Sequence, residues 1–446
     1  MKLYFRCTAM AVASLLSLPI LAGVTPDEAS KLKGPLTPFG AERAANKEGT
    51  IPEWTGGLVQ PGKSGGRRED PFASEKPLYS INAANLAAHA DQLSDGTKLM
   101  FKRFPQSYRL DVYPTHRTAA APSWVYDNTL HNATRANLTP AGPQGAYGGI
   151  PFPIPKTGAE AMWNHMLRWR GEAWHFEASQ YLTTADGKRV MTADAVGDQN
   201  MPYYFKDGTP DRFDGAYWLL RLVNSGPPIR AGEGIVGREH FNPDKIQAWV
   251  YLTGQRRVRK LPNPCCDNPT PSSAGQMFFD ETEGWSGRQD RFEFKLLGKK
   301  ELLVPYNTNR MLQPHSAAAI MSERHLNPDQ LRWELHRVWM VEATLAPGAR
   351  HQAPRNLYYL DEDTWQILLA DRWDAKGGLW RSLWFLPIAA PEIPGVVGMT
   401  FGMYDHVSGS WFANNVYNEK NDQFRVVPKF NDAVFTPEAL AGEGVR

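Results

Sequence analysis

Cysteine is nearly absent from this sequence, which excludes a fold held together by a disulfide framework. Of three cysteines in 446 residues, Cys7 lies in an apolar N-terminal segment and Cys265 and Cys266 are neighbours. Adjacent cysteines cannot staple distant segments. They can form a vicinal disulfide, bridge two molecules or stay reduced. No histidine lies close to them in sequence, so no metal site is expected on the two thiols. An excess of one charge is missing too: 49 Lys and Arg stand against 47 Asp and Glu. Such a balance supplies no basic field for nucleic acid. Catalytic spacings are also lacking. None of the eleven histidines falls in a His-Glu-x-x-His pattern, and Val407-Ser408-Gly409-Ser410 does not make a Gly-x-Ser-x-Gly elbow. No catalytic residue, metal ligand or cofactor is therefore assigned.

Long apolar runs are confined to the first residues. Lys2 and Arg6 precede the stretch Ala9 to Ala22, which has the layout of a secretory signal peptide over residues 1–23 and is too short to span a bilayer. Cleavage near Ala22 or Gly23 removes two basic residues and no acid, leaving a nearly neutral chain. Val24 stands where a lipoprotein would carry cysteine, so no lipid anchor is expected. An exported periplasmic protein, not an integral membrane one, is the expectation.

What is present is aromatic and alternating. Six tryptophans lie between Trp333 and Trp384, and Trp411 adds a seventh. Strands are predicted over Leu331–Leu345, Asn356–Leu360, Thr364–Trp373, Leu379–Leu386, Met399–Tyr404 and Ser410–Asn415. Before them come strands over Glu172–Leu182, Lys188–Val196, Ala216–Val223, Lys245–Thr253 and Arg256–Leu261. A hairpin is expected to turn through Gly298-Lys299-Lys300, between Asp290–Leu297 and Leu302–Tyr306. The connections are too short for crossover helices, so the sheet must be largely antiparallel. Residues 24–158 read instead as helices and extended wrapping. A short helix follows the cap at Thr25, a second spans Asn82 to about Met100, and a third starts at Thr157. The predicted fold is α+β but mainly β, one large curved antiparallel sheet over residues 159–446 in a single unit with 24–158.

Three patterns invite chemistry and have plainer explanations. Gly232-Glu233-Gly234-Ile235-Val236-Gly237 matches the dinucleotide-binding glycines, but Pro227-Pro228 precede it and no long helix follows. It reads as a flexible loop. Asp361-Glu362-Asp363 reads as a solvated hairpin turn, and His325, His336 and His351 as ordinary hydrogen-bonded residues. Gln255-Arg256-Arg257-Val258-Arg259-Lys260 is either a solvated edge or a contact for acidic partners or head groups. The aromatic faces leave a choice between packed core and the wall of an apolar cavity.

Several segments resemble a family of Gram-negative exported proteins catalogued as domain of unknown function thirteen twenty-nine. They include Gly49-Thr50-Ile51-Pro52-Glu53-Trp54-Thr55-Gly56-Gly57, Gly298-Lys299-Lys300-Glu301-Leu302-Leu303-Val304-Pro305-Tyr306-Asn307 and Leu335-His336-Arg337-Val338-Trp339-Met340-Val341-Glu342-Ala343-Thr344. The family is described as outer-membrane lipoprotein-sorting-like. The stretch from Ala248 to Leu261 is also similar to strands of the lipoprotein-localisation carriers. The resemblance implies a half-open β-barrel partly covered by a few helices, with an apolar ligand inside. It implies as partners an inner-membrane exporter of the resistance-nodulation-division type and an outer-membrane β-barrel. The expected function is a carrier for a hydrophobic small molecule or lipid. Trp249, Tyr251, Trp333, Trp339, Trp365 and Trp384 are the expected lining, and Arg256, Arg257 and Arg259 the contact for a partner or head group. The alternatives are an accessory subunit docking on the barrel or exporter and, third, a lipid or polyester hydrolase.

Overall fold

The computed structural model describes residues 23–60 and 65–443. The expected signal peptide, apart from Gly23, lies outside the described residues. Two antiparallel meanders make the molecule. The first is β1 (Ala173–Thr183), β2 (Arg189–Asn200), β3 (Ala216–Gly226), β4 (Gly234–His240), β5 (Gln247–Leu252) and β6 (Arg257–Lys260). The second is β7 (Phe292–Pro305), β8 (Trp333–Leu345), β9 (Arg355–Asp361), β10 (Ile367–Trp373), β11 (Leu379–Ala390), β12 (Gly395–Asp405) and β13 (Trp411–Val416). β13 returns to pair with β1, Phe412 opposite Leu182, so the meanders fuse. With the short strands Tyr79–Ile81, Leu110–Val112 and Phe424–Val426 the sheet reaches sixteen strands. Leu110–Val112 runs parallel to β8, which makes the sheet mixed. β6 ends one side and β7 lies at the other, and the two do not pair. The large antiparallel sheet with few helices is as expected, and it is not closed into a barrel.

Among the described residues the α-helices longer than one turn are α1 (Pro26–Ser30), α2 (Asp95–Arg103), α3 (Ser123–Arg135), α4 (Gly158–Met166) and α5 (Pro437–Glu443), and Ala317–Ile320 forms a single turn. At α1 the Thr25 hydroxyl accepts from Glu28 N, the cap that the sequence predicts, and the Glu28 carboxylate accepts from Thr25 N in return. The predicted helix over Asn82 to Met100 is broken. Leu86–Gln92 is a 3-10 turn, Leu93 is extended, and the Ser94 hydroxyl caps a new helix by accepting from Thr97 N. α3 has no counterpart among the predictions.

Two more expectations fail for backbone reasons. The hairpin at Gly298 is one continuous strand, β7, because a bulge between Leu296 and Gly298 absorbs the extra residue and both flanks keep pairing with β8. Gly298 sits there at φ +101°, a conformation that disfavours any side chain. The glycine pattern at 232–237 is not a flexible loop throughout, since Gly234 onward is β4, paired on both sides.

The sheet's two faces are covered unequally. We call inner the face met by the segment 264–287. Over β9–β12 it is filled. Phe385 and Phe401 stack at 5.1 Å, and Trp285 meets Phe292, Phe294 and Tyr358 edge-on at 5.5–5.7 Å. On the outer face α2 lies against β10 and β11, with Gly96 N donating to Asp371 Oδ1 at 3.0 Å. Any side chain at Gly96 would collide with Ser382 and Asp371. α5 and the turn before it cover the outer face of β3–β5, placing Phe435 and Leu440 on Leu219, Val236 and Tyr251. The inner face of β1–β5 is left.

Candidate functional site

Cross-strand pairing determines which side chains meet above that uncovered floor. Leu222 lies opposite Ile235, and Ile235 opposite Val250. One step along, Leu220 lies opposite Gly237, and Gly237 opposite Ala248. Alternation sends these two rows to the same face. They form the floor of a cavity with about 1330 Å³ of free space, its open mouth included. Phe176, Trp218, Leu252 and Phe401 extend the apolar wall, and Met277 and Phe279 of the segment 264–287 form its roof. The floor is lowest where Gly237 and Ala248 stand side by side. A Cβ at Gly237 would meet no atom within 4 Å.

Buried charge anchors the roof. Glu281 takes both oxygens to Arg381 Nη1, at 2.8 and 2.9 Å. Asp280 accepts from Arg372 at 3.2 Å and bonds His351 at 2.8 Å. Glu283 accepts from Arg168 at 2.5 Å and from Arg170. Burial pushes the carboxyls of Asp280 and Glu283 up. Arg372 beside Asp280, and Arg170 with Arg168 beside Glu283, outweigh it and hold both below the usual range. Arg170 also lies 4.7 Å above the Trp218 ring, whose Nε1 donates to Gln199 Oε1 at 2.7 Å. Nearer the mouth, Arg230 pairs with Glu233 at 2.9 Å and donates to Pro271 O at 2.9 Å. Cys265 and Cys266 are disulfide-bonded to each other at the start of this segment, one of the three states the sequence left open.

Glu239 is the unusual acid of the wall. Burial pushes its carboxyl up to about 7, against a bond from the Tyr217 hydroxyl at 3.5 Å. It can therefore be uncharged at neutral pH.

The expected lining residues fall in three places. Trp249 and Tyr251 share a face with Val236, which packs beneath α5 rather than over the cavity. Tyr251 nevertheless contributes to the cavity wall. Trp333 and Trp384 line a second, much smaller crevice beneath α2, with Met100 and Tyr404. Trp339 and Trp365 stack on each other at 6.0 Å, Lys299 lying 4.9 Å from the Trp339 ring. Arg256, Arg257 and Arg259 are exposed on and beside β6, at the free end of the sheet. Trp218, Leu220, Leu222, Ile235 and Val250 were missed. The strands of Trp218, Leu220, Leu222 and Val250 were legible, but that of Ile235 read as a loop, and aromatic Trp249 and Tyr251 drew the expectation to the opposite face.

The acidic trio is a correction. Asp361, Glu362 and Asp363 are buried, not a solvated turn. Arg117 grips both oxygens of Asp363 at 2.7 and 2.8 Å, and Arg337 and Lys299 reach Glu362 at 2.7 and 2.8 Å. Ligand atoms of His336, Asp361 and Asp363 lie within 4.8 Å of one another and could hold a cation. Arg117, Arg337 and Lys299 already supply opposing charge there. His336 bonds Glu334 at 3.0 Å, and His325 bonds Ser107 at 2.9 Å, as expected of ordinary histidines.

Residues 80–441 match the model of a family described as protein of unknown function (DUF1329). An uncharacterized protein of Pseudomonas aeruginosa is 36% identical over 451 residues, 98% of either chain. A DUF1329 family protein from Desulfovibrio piger is similar at 16% identity, over 60% of this chain and 92% of that one, with a TM-score of 0.41. A LolA superfamily protein from Nitrosomonas europaea is similar at 9% identity, over 64% and 100%, with a TM-score of 0.38. Among the described residues no helix is long and apolar enough to cross a membrane.

Proposed function

The chain belongs to the DUF1329 family, and from that premise we propose that it is an exported carrier. It holds a hydrophobic, lipid-like ligand in the cavity roofed by residues 264–287 and moves it through the periplasm unaltered. The observation that carries this reading is the uneven filling of the inner face. Over β9–β12 aromatic rings and ion pairs occupy it, whereas over β1–β5 an open-mouthed cleft, about 1330 Å³ with its mouth included, lies above an apolar floor. Burying roughly 300 Å² of ligand hydrocarbon there would contribute about 7 kcal/mol, before the cost of ordering the ligand. The partners in this reading are an inner-membrane exporter of the resistance-nodulation-division type and an outer-membrane β-barrel. Titration with an environment-sensitive apolar dye tests it. Saturable binding that long-chain lipids reverse supports the carrier, and no saturable binding overturns it.

The free edge at β6 favours a second reading, an accessory subunit that docks on such a partner. Arg257, Arg259 and Lys260 are exposed there on a strand with one unpaired side. Crosslinking in intact cells separates the two. A stoichiometric, stable adduct favours docking, and transient contacts with a filled cavity favour the carrier.

A further inference from the structure

The end of the sheet at which the cavity opens bears on how a ligand enters and leaves, an inference that deepens the carrier reading and rests on it. β3 and β5 run in the same direction, so the turns that follow them, 226–234 and 252–257, emerge at one end. The two turns touch, since a Cβ at Gly232 would lie 3.1 Å from Thr253 Cγ2. Arg230, Leu252 and Pro271, which line the cavity at this end, are partly or fully exposed, whereas Phe176 and Trp218 elsewhere in the wall are buried. Beside Arg230 stands Ile229, in the single 3-10 turn Pro228–Arg230. At 85% exposure it is the most exposed large apolar side chain among the described residues. A lone exposed isoleucine means little in itself. One at the mouth of an apolar cavity is placed to enter whatever apolar surface the mouth meets.

The charge around this tip is one-sided. Residues 253–260 carry Arg256, Arg257, Arg259 and Lys260, all exposed, and no acid. Among the described residues none of the three arginines has an ion-pair partner. The acids nearest in the sheet are taken, Glu233 by Arg230 and Asp194, opposite Gly226, by Lys420. An apolar tip beside unneutralised cations suits a bilayer that carries anionic lipid. The isoleucine enters the acyl boundary while the guanidinium groups meet phosphates. An acidic protein would satisfy the cations but would offer Ile229 no hydrocarbon. A carried lipid gains from the arrangement, because it can pass between leaflet and cavity without exposing its chain to water. We propose that the turns 226–234 and 252–257 form a docking surface for an anionic membrane leaflet, which sets the cavity mouth against the lipid.

Co-sedimentation of the purified mature protein with vesicles tests this, using phosphatidylcholine alone and phosphatidylcholine mixed with phosphatidylglycerol. Partitioning onto the mixed vesicles should be at least about tenfold stronger and should weaken as salt is raised. Ile229→Asn should reduce it by roughly tenfold, with the affinity for an apolar dye in solution unchanged. The double variant Arg256→Gln, Arg257→Gln should reduce it by roughly tenfold or more and remove most of the salt dependence. No partitioning onto either vesicle, or partitioning that neither variant alters, overturns the docking inference; normal dye binding in that case leaves the carrier reading standing. Crosslinks from position 229 to a protein, with none to lipid, likewise overturn it and give the surface to a protein partner. If vesicles bind the protein but the dye does not, the carrier reading is what fails.

Discussion

Gly237→Leu should close the cavity without disturbing the sheet. Gly237 lies in the middle of β4, paired with Leu220 on one side and Ala248 on the other. Its backbone is ordinary strand, and a Cβ there would project into open space. Replacing glycine inside a strand removes a conformational cost of roughly 0.5–1 kcal/mol, so stability should hold or rise. The added isobutyl group takes the place of three or four ligand methylenes. At about 0.8 kcal/mol each, the loss of their burial is about 3 kcal/mol, or roughly a hundredfold in Kd. Isothermal titration with a long-chain alcohol on wild type and variant, with thermal melts alongside, measures both sides. A variant that melts like the wild type and binds as tightly would refute the placement of the ligand on β3–β5.

Three other perturbations follow from the same packing. Leu440→Ala removes α5's contact with Tyr251 and Val236, and should cost about 3 kcal/mol in chemical denaturation while leaving ligand affinity unchanged; a large loss of affinity would mean that Trp249 and Tyr251 belong to the binding face after all. Glu283→Gln strands Arg168 and Arg170 in the interior and should cost about 3–5 kcal/mol, again read by denaturant midpoint. Burial pushes the Asp371 carboxyl up to about 7, against the bond from Gly96 N, while the unfolded value is about 3.9. The folded state therefore binds this proton more tightly. Its contribution is fully present below about pH 4 and is lost as pH rises through about 7, on the order of 4 kcal/mol at most. Asp371→Asn should flatten the stability profile over that window, and an unchanged slope would show that the proton is held elsewhere.

Most of the sheet was legible in the sequence because its signals are local. The second meander announces itself by alternating aromatics and glycine or proline turns, and β8 to β13 fall near where that pattern puts them. The joining of β13 to β1 has no such signal, since Phe412 and Leu182 are far apart in the chain and nothing in either strand names the other. The lining expected from the sequence coincides with this cavity only at Tyr251, for a related reason. Large rings draw attention, yet large rings fill space, and Trp339 and Trp365, stacked on each other, do so here. Free volume arises where side chains are small, at Gly237 and Ala248, inside a glycine pattern that looked like a loop. Asp361, Glu362 and Asp363 looked solvated because their partners, Arg117 and Arg337, come from other segments of the chain. Burial of charge depends on tertiary neighbours, which a run of three acids cannot reveal.

Native mass spectrometry of the protein purified without detergent from periplasmic extract tests the central claim most directly. A carrier of the kind proposed should show a stoichiometric adduct of lipid mass that organic extraction releases and that Gly237→Leu abolishes. A bare polypeptide mass in wild type, together with no uptake of any added long-chain lipid, would contradict it.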